Sequence, residues 1–84
     1  MLTNYIQAAM RHARYRIFED DNSYYGEIPV TPGVWANEAT LEDCRTELQS
    51  ALEDWVVFSL VRGFPMPVID GIDLNITGAI PEAA

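Results

Sequence analysis

The pattern of apolar and polar positions is most regular between residues 40 and 63, where it predicts one long amphipathic helix. Apolar side chains recur at spacings of three and four from Leu41 to Val56, and charged side chains fill the other side. Thr40 can cap the first turn, and Gly63 can end the helix in the left-handed conformation. We therefore predict a helix that covers one face of a small core.

The last two turns of this helix depart from the amphipathic pattern. Between Trp55 and Val61 the only polar residue is Ser59, so this segment is apolar all round. One small sheet cannot cover such a surface, and soluble monomers rarely leave it open. We therefore predict a homo-oligomer, most simply a twofold dimer or else a higher assembly. The expected interface residues are Val56, Val57, Phe58, Leu60 and Val61.

The segment before the long helix predicts a short helix followed by three strands. Residues 1–13 carry an apolar stripe at helical spacing. Residues 14–18, 24–28 and 34–36 are rich in aromatic and β-branched side chains and are bounded by turn residues, which is typical of strands. Because the connections are short, the three strands should form an antiparallel meander.

Residues 72–76 alternate between apolar and polar side chains and predict a fourth strand. A right-handed crossover through the long helix would place it beside strand one. The fold class is thus α+β, with the order helix, three-stranded antiparallel meander, long helix, fourth strand. We expect one domain over residues 1–84, with the helix at 1–13, the α+β core at 14–77 and a tail at 78–84. The expected core residues include Ile17, Trp35, Leu48, Leu52 and Trp55.

The charge of the chain limits the class of partner. The chain has thirteen acidic residues, five arginines and no lysine, so the formal net charge is −8. Such a charge opposes binding to a duplex nucleic-acid backbone, and it favours either a basic partner or simple solubility. Three arginines lie between Arg11 and Arg16, and we expect the acidic turn at 19–21 to compensate them. The acids most available to a partner are Asp20, Asp21, Glu42, Glu53 and Asp54.

Residues that could carry chemistry are few and scattered. Cys44 lies on the apolar helix face and is expected to be a small buried hydrophobe. His12 is expected to be a helix-end residue, since no partner for a catalytic base is specified. The acid pairs lack calcium-loop spacing, and the sequence has no glycine-rich phosphate loop. We therefore expect no enzyme, no metal and no cofactor, and without a membrane-length or secretory segment we expect a cytoplasmic location.

Three stretches of the sequence resemble the HicB-like antitoxin family. They are the run from Tyr25 to Ala36, with the pattern Ile-Pro, two residues, then Pro-Gly-Val-Trp-Ala, and the segments 40–44 and 51–55. The resemblance covers roughly residues 14–61. It implies a partial ribonuclease H-like fold of three antiparallel strands, a helix and a fourth strand, which agrees with the elements predicted from the pattern.

The same resemblance implies a function. Members of this family neutralise HicA, a small basic mRNA-cleaving toxin, by covering its active-site surface. The first expectation is therefore an antitoxin-like protein-binding module with a HicA-like partner, and with no nucleic-acid binding by this chain alone. The alternative is a stand-alone homo-oligomeric domain with a regulatory or small-ligand role and no toxin partner.

Overall fold

The computed structural model describes residues 2–74 and confirms the α+β class. Its elements are, in chain order, α1 (Leu2–Arg11), β1 (Arg14–Phe18), β2 (Ser23–Glu27), β3 (Trp35–Glu38) and α2 (Leu41–Arg62). The strands form one antiparallel sheet in the order β1-β2-β3. The predicted helix, meander and long helix are all present.

Both ends of α2 are fixed by the residues that the sequence indicated. The Thr40 hydroxyl accepts a hydrogen bond from the Asp43 amide over 3.1 Å, which satisfies one free donor of the first turn. At the other end Gly63 adopts φ 73°, and the amide of Phe64 donates to the carbonyl of Ser59 over 2.9 Å. This left-handed closure satisfies a carbonyl of the last turn and needs glycine because a Cβ would be strained there.

The sheet leaves room for α2 at Gly26. Its backbone lies opposite Tyr15 and Ala36, and a Cβ placed on it would come within 2.9 Å of the Tyr15 ring and 3.1 Å of the Cys44 sulfur. The ladder runs through this position without a bulge. Glycine is therefore required for the close approach of helix and ring.

The core lies where α1, the sheet and the segment after α2 converge on one face of α2. Cys44, Leu48, Leu52 and Val56 supply that face, and each is fully buried. Their spacing of four residues keeps them in one row along the helix. The row packs against buried side chains from the other parts, namely Tyr5, Ala8, Ala9, Ile28, Val34, Ala36, Met66, Ile69 and Leu74.

Two of the predicted core residues are not in the core. Trp35 is 56% exposed, because Ala36 takes the position facing α2 and strand alternation turns Trp35 to the other side of the sheet. Ile17 is 55% exposed, because α2 packs over β3 and β2 and leaves β1 beyond its reach. Leu48 and Leu52 are fully buried as predicted, and Trp55 is partly buried against the core.

The segment after α2 closes a turn where the start of a fourth strand was predicted. Asp70 and Gly71 both have positive φ, and Ile69 and Ile72 exchange backbone hydrogen bonds of 3.1 and 2.8 Å. An Asp-Gly pair favours this tight turn, so residues 72–74 do not run beside β1. Residues 75–76 of the predicted strand and the predicted tail at 78–84 lie outside the described residues.

Arg11 pairs with Asp70 and not with the acidic turn at 19–21, and His12 hydrogen-bonds to the same carboxylate. Arg11 Nη2 lies 3.2 Å from one carboxylate oxygen of Asp70, and His12 Nε2 lies 2.8 Å from the other. The hydrogen bond from His12, and then that from Arg11, lower the pKa of Asp70. His12 is thus a helix-end residue, as expected, and it joins α1 to the turn at 69–72.

Candidate partner-binding surfaces

The end of α2 exposes large apolar side chains in adjoining positions. Val61 lies one turn beyond Val57 and Phe58, and Phe64 packs edge-on against Phe58 with ring centroids 5.6 Å apart. All four are at least half exposed, and Val61 reaches 78%. These residues form a continuous surface, the C-terminal patch, which is the kind of surface that partners cover.

The C-terminal patch differs from the predicted interface at two positions. Val56 is fully buried in the core of the single chain, so no second subunit can contact it. Leu60 is largely packed against the same core. The polar Ser59 is only 3% exposed because it lies on the buried side of α2, and this register leaves Val57, Phe58 and Val61 outside.

A row of aromatic rings crosses the sheet face that α2 does not cover. Phe18, Tyr25 and Trp35 come from β1, β2 and β3, and the Tyr25 ring lies 5.2 Å from the first ring and 6.2 Å from the last. The guanidinium of Arg16 lies 5.1 Å from the Tyr25 centroid. The row thus combines apolar ring surface with a cation, and stacking on Tyr25 supports the ring of the exposed Trp35.

An acidic groove runs between β3 and α2 on the other side of the sheet. Its volume is about 280 Å³. Glu38 at the end of β3 and Glu47 and Asp54 on α2 line it, and no lysine or arginine does. The remaining lining residues are Trp35, Ala36, Asn37, Ser50 and Ala51. We call this feature the β3 groove.

The five acids proposed from the sequence are all exposed but do not form one surface. Asp20 and Asp21 lie in the β1–β2 turn, where the Ser23 amide donates to Asp21 over 3.0 Å. The side-chain hydrogen bond with Ser23 lowers the pKa of Asp21, so this carboxylate serves the turn itself. Glu42 lies in the first turn of α2.

Glu53 and Asp54 lie on different sides of α2. Glu53 accepts a hydrogen bond from Gln49 over 3.1 Å and lines a groove of about 420 Å³ between α1 and α2, together with Arg11 and Arg45. That groove has mixed charge. Of the five acids, Asp54 lies in the β3 groove, which Glu38 and Glu47 also line.

Glu38 and Glu47 were not among the acids predicted from the sequence, although one signal was available. Glu47, Ser50 and Asp54 are spaced by three and four residues and therefore share a stripe of α2. Nothing in the sequence showed that this stripe lies beside β3.

The Cys44 thiol is buried, donates to the Ala36 carbonyl at 3.6 Å, and has a raised pKa because of its burial. Within residues 2–74 no three histidine, cysteine or acidic side chains lie close enough to hold a metal ion. In the same range neither helix is long and apolar enough to cross a membrane.

A known protein family matches most of this chain. Residues 4–67, which include every strand and all of α2, match the family described as UPF0150-like. The chain belongs to the UPF0150-like family. Because the match ends at residue 67, it includes the β3 groove and the whole C-terminal patch.

A solved structure is similar to this UPF0150-like chain over nearly its whole length. It is the crystal structure of TTHA0281 from Thermus thermophilus, which is 46% identical, with a TM-score of 0.81. The similarity covers 87% of this chain and 90% of that one. Among curated proteins no sequence matches.

Proposed function

We propose that this UPF0150-like chain is an antitoxin-like module that binds and neutralises a small basic mRNA-cleaving toxin of the HicA type. The proposal rests chiefly on one observation, the β3 groove, where three carboxylates face solvent and no basic side chain compensates them. The HicB-like pattern from Tyr25 to Trp55 supports it, because this stretch builds both walls of the groove.

The module acts by steric cover and charge complementarity, without chemistry of its own. A net charge of −8 attracts a basic protein over several ångströms, which speeds the encounter and makes the association sensitive to salt. The exposed Trp35 beside the acids supplies the apolar contact that charge alone lacks. An RNA-cleaving site pressed against this surface would be closed to its substrate.

The second candidate function is that of a stand-alone homo-oligomeric domain with a regulatory or small-ligand role. The C-terminal patch favours self-association, because the large apolar side chains of Val57, Phe58 and Val61 face water in the single chain. A second copy would cover them symmetrically about a twofold axis. Self-association is compatible with toxin binding, since the C-terminal patch and the β3 groove share no residue.

The experiment is co-expression of the chain with the product of the gene adjacent to it. We expect the neighbour alone to stop growth, co-expression to restore it, and a pull-down to recover the complex at low salt and less of it at high salt. A variant with Glu38, Glu47 and Asp54 changed to their amides should lose the rescue. A neighbour that is not toxic, or one that is not retained at low salt, would leave only the oligomeric domain.

A further inference from the structure

β3 is an edge strand with unused hydrogen-bonding groups. It pairs with β2 on one side, and among residues 2–74 no strand pairs with its other side. The Ile28 amide donates to the Val34 carbonyl over 3.4 Å, which sets the alternation of the ladder. Ala36 and Glu38 then direct their backbone groups to β2, and Trp35 and Asn37 direct theirs outward.

The β3 groove lies directly along this free edge. Residues 35–38 of β3 line one side of it, and the α2 stripe of Glu47, Ser50 and Asp54 lines the other. A strand added to the edge would lie about 4.8 Å from β3 and would therefore run beneath the stripe. Side chains on one face of that strand would meet carboxylates.

The other face of an added strand would meet aromatic surface. Trp35 is exposed on the side of the sheet opposite α2, and its ring continues the row formed by Tyr25 and Phe18. Because side chains of a strand alternate between faces, a segment with basic residues at every second position and apolar residues between them fits both sides.

We propose that the free edge of β3 binds an extended segment of a basic partner protein as an additional strand, with its basic side chains in the β3 groove and its apolar side chains on Trp35. This rests on the proposed function only for the identity of the partner, which would be the toxin. Main-chain hydrogen bonds to Trp35 and Asn37 supply affinity, and the carboxylates select basic side chains.

The charges favour a partner protein over a second copy of the chain. Two β3 edges facing each other would bring Glu38, Glu47 and Asp54 of both copies together, and like charges opposite one another destabilise a sheet. Within the described residues the strand that carries arginines is β1, with Arg14 and Arg16. Its pairing with β3 of another copy would be a head-to-tail contact, which forms rings or open chains and not a twofold dimer.

The test uses the full chain and a synthetic peptide of about nine residues in which lysine and arginine alternate with valine and threonine. The control peptide replaces every basic residue with glutamate. We expect the basic peptide to bind at low salt and to slow hydrogen exchange at the outward amides of Trp35 and Asn37. The acidic peptide should not bind.

Matched variants separate strand addition from diffuse attraction. Asn37→Pro removes an outward N–H without touching the β2 ladder, and Asn37→Thr keeps that N–H while losing the same side-chain amide. We expect the proline variant, and not the threonine variant, to weaken peptide binding about tenfold. Glu47→Gln should weaken it more than Glu53→Gln, which changes the same charge outside the groove.

Three results would overturn the proposal: no binding of the basic peptide, equal binding by all four variants, or protection of amides elsewhere in the chain. Failure here is distinct from failure of the antitoxin function. If the adjacent gene product is neutralised equally well by Asn37→Pro and Asn37→Thr, the function stands and the β3 edge is not its site. If the peptide binds as expected but the neighbour does not, the surface stands and its partner is a different basic protein.

Discussion

The hydroxyl of Tyr5 donates a hydrogen bond of 2.7 Å to the carbonyl oxygen of Pro67 and thereby joins the first helix to the segment that follows the last one. Tyr5 is fully buried against α2, and burial raises the pKa of its hydroxyl. The two ends of the described chain are thus held together by a buried polar contact and, at the surface, by the Asp70 contacts with Arg11 and His12.

Removing the Tyr5 hydroxyl should destabilise the fold without changing its shape. Tyr5→Phe keeps the ring but leaves the Pro67 carbonyl without this donor, so we expect the free energy of unfolding to fall by about 1 kcal/mol. Urea denaturation followed by circular dichroism measures it. Tyr24→Phe is the control, since it removes a hydroxyl from a half-buried tyrosine. If both variants lost the same free energy of unfolding, the hydrogen bond to Pro67 would contribute no more than any tyrosine hydroxyl.

Adding a single methyl group at Gly26 should be costly. In Gly26→Ala the new Cβ meets the Tyr15 ring and the Cys44 sulfur, so we expect a loss of about 1–3 kcal/mol in the free energy of unfolding. Trimming Tyr15 to serine in the same chain removes one of the two obstacles. The double variant should therefore lose less than the sum of the single losses. Strict additivity would mean that the ring is not the obstacle.

Because of the Asp70 contacts, the stability of the fold should decrease at low pH. Hydrogen bonds from His12 and Arg11 lower the pKa of Asp70 below its ordinary value, so their stabilisation is present above that value, near 3.8. It is lost as pH falls through the lowered pKa of the folded state. Thermal melts of the wild type and of Asp70→Asn should differ at pH 6 and converge at the acid end. A constant difference at every pH would contradict the role of the carboxylate.

The C-terminal patch should control self-association. Val61 is mostly exposed, so Val61→Glu costs a single chain little, yet it places a charge at the centre of the expected interface. Sedimentation velocity at micromolar concentration should give an oligomer for the wild type and a folded monomer for Val61→Glu. Thr46→Glu, on the exposed side of α2, should remain oligomeric. A wild-type chain that sediments as a monomer would contradict the predicted interface.

The helices and the first three strands were predicted well, because caps, turns and alternation depend only on residues that are close in sequence. The cap at Thr40 and the left-handed Gly63 need only their own neighbours, and both appear in the structure. The three strands likewise follow from alternation between short turns. The Asp-Gly pair at 70–71 is also a local turn signal, and it was outweighed by the alternation that predicted a strand from residue 72.

The sequence could not show in the same way which face of each strand or helix packs against the core. Alternation shows that Trp35 and Ala36 face opposite ways, but not which of them faces α2. That choice depends on where α2 approaches the sheet, which it does at Gly26, directly opposite Ala36 on the neighbouring strand. The β3 groove depends on where α2 crosses the sheet, which is a tertiary property, so Glu38 and Glu47 were missed.

The antitoxin function is tested most directly by an RNA-cleavage assay with the purified product of the adjacent gene, titrated with this chain. We predict that cleavage falls to zero near one protomer per toxin at low salt, and that more chain is needed as salt rises. The variant with Glu38, Glu47 and Asp54 changed to amides should inhibit only at much higher concentration. Cleavage that continues undiminished with the chain in excess at low salt would contradict the antitoxin function.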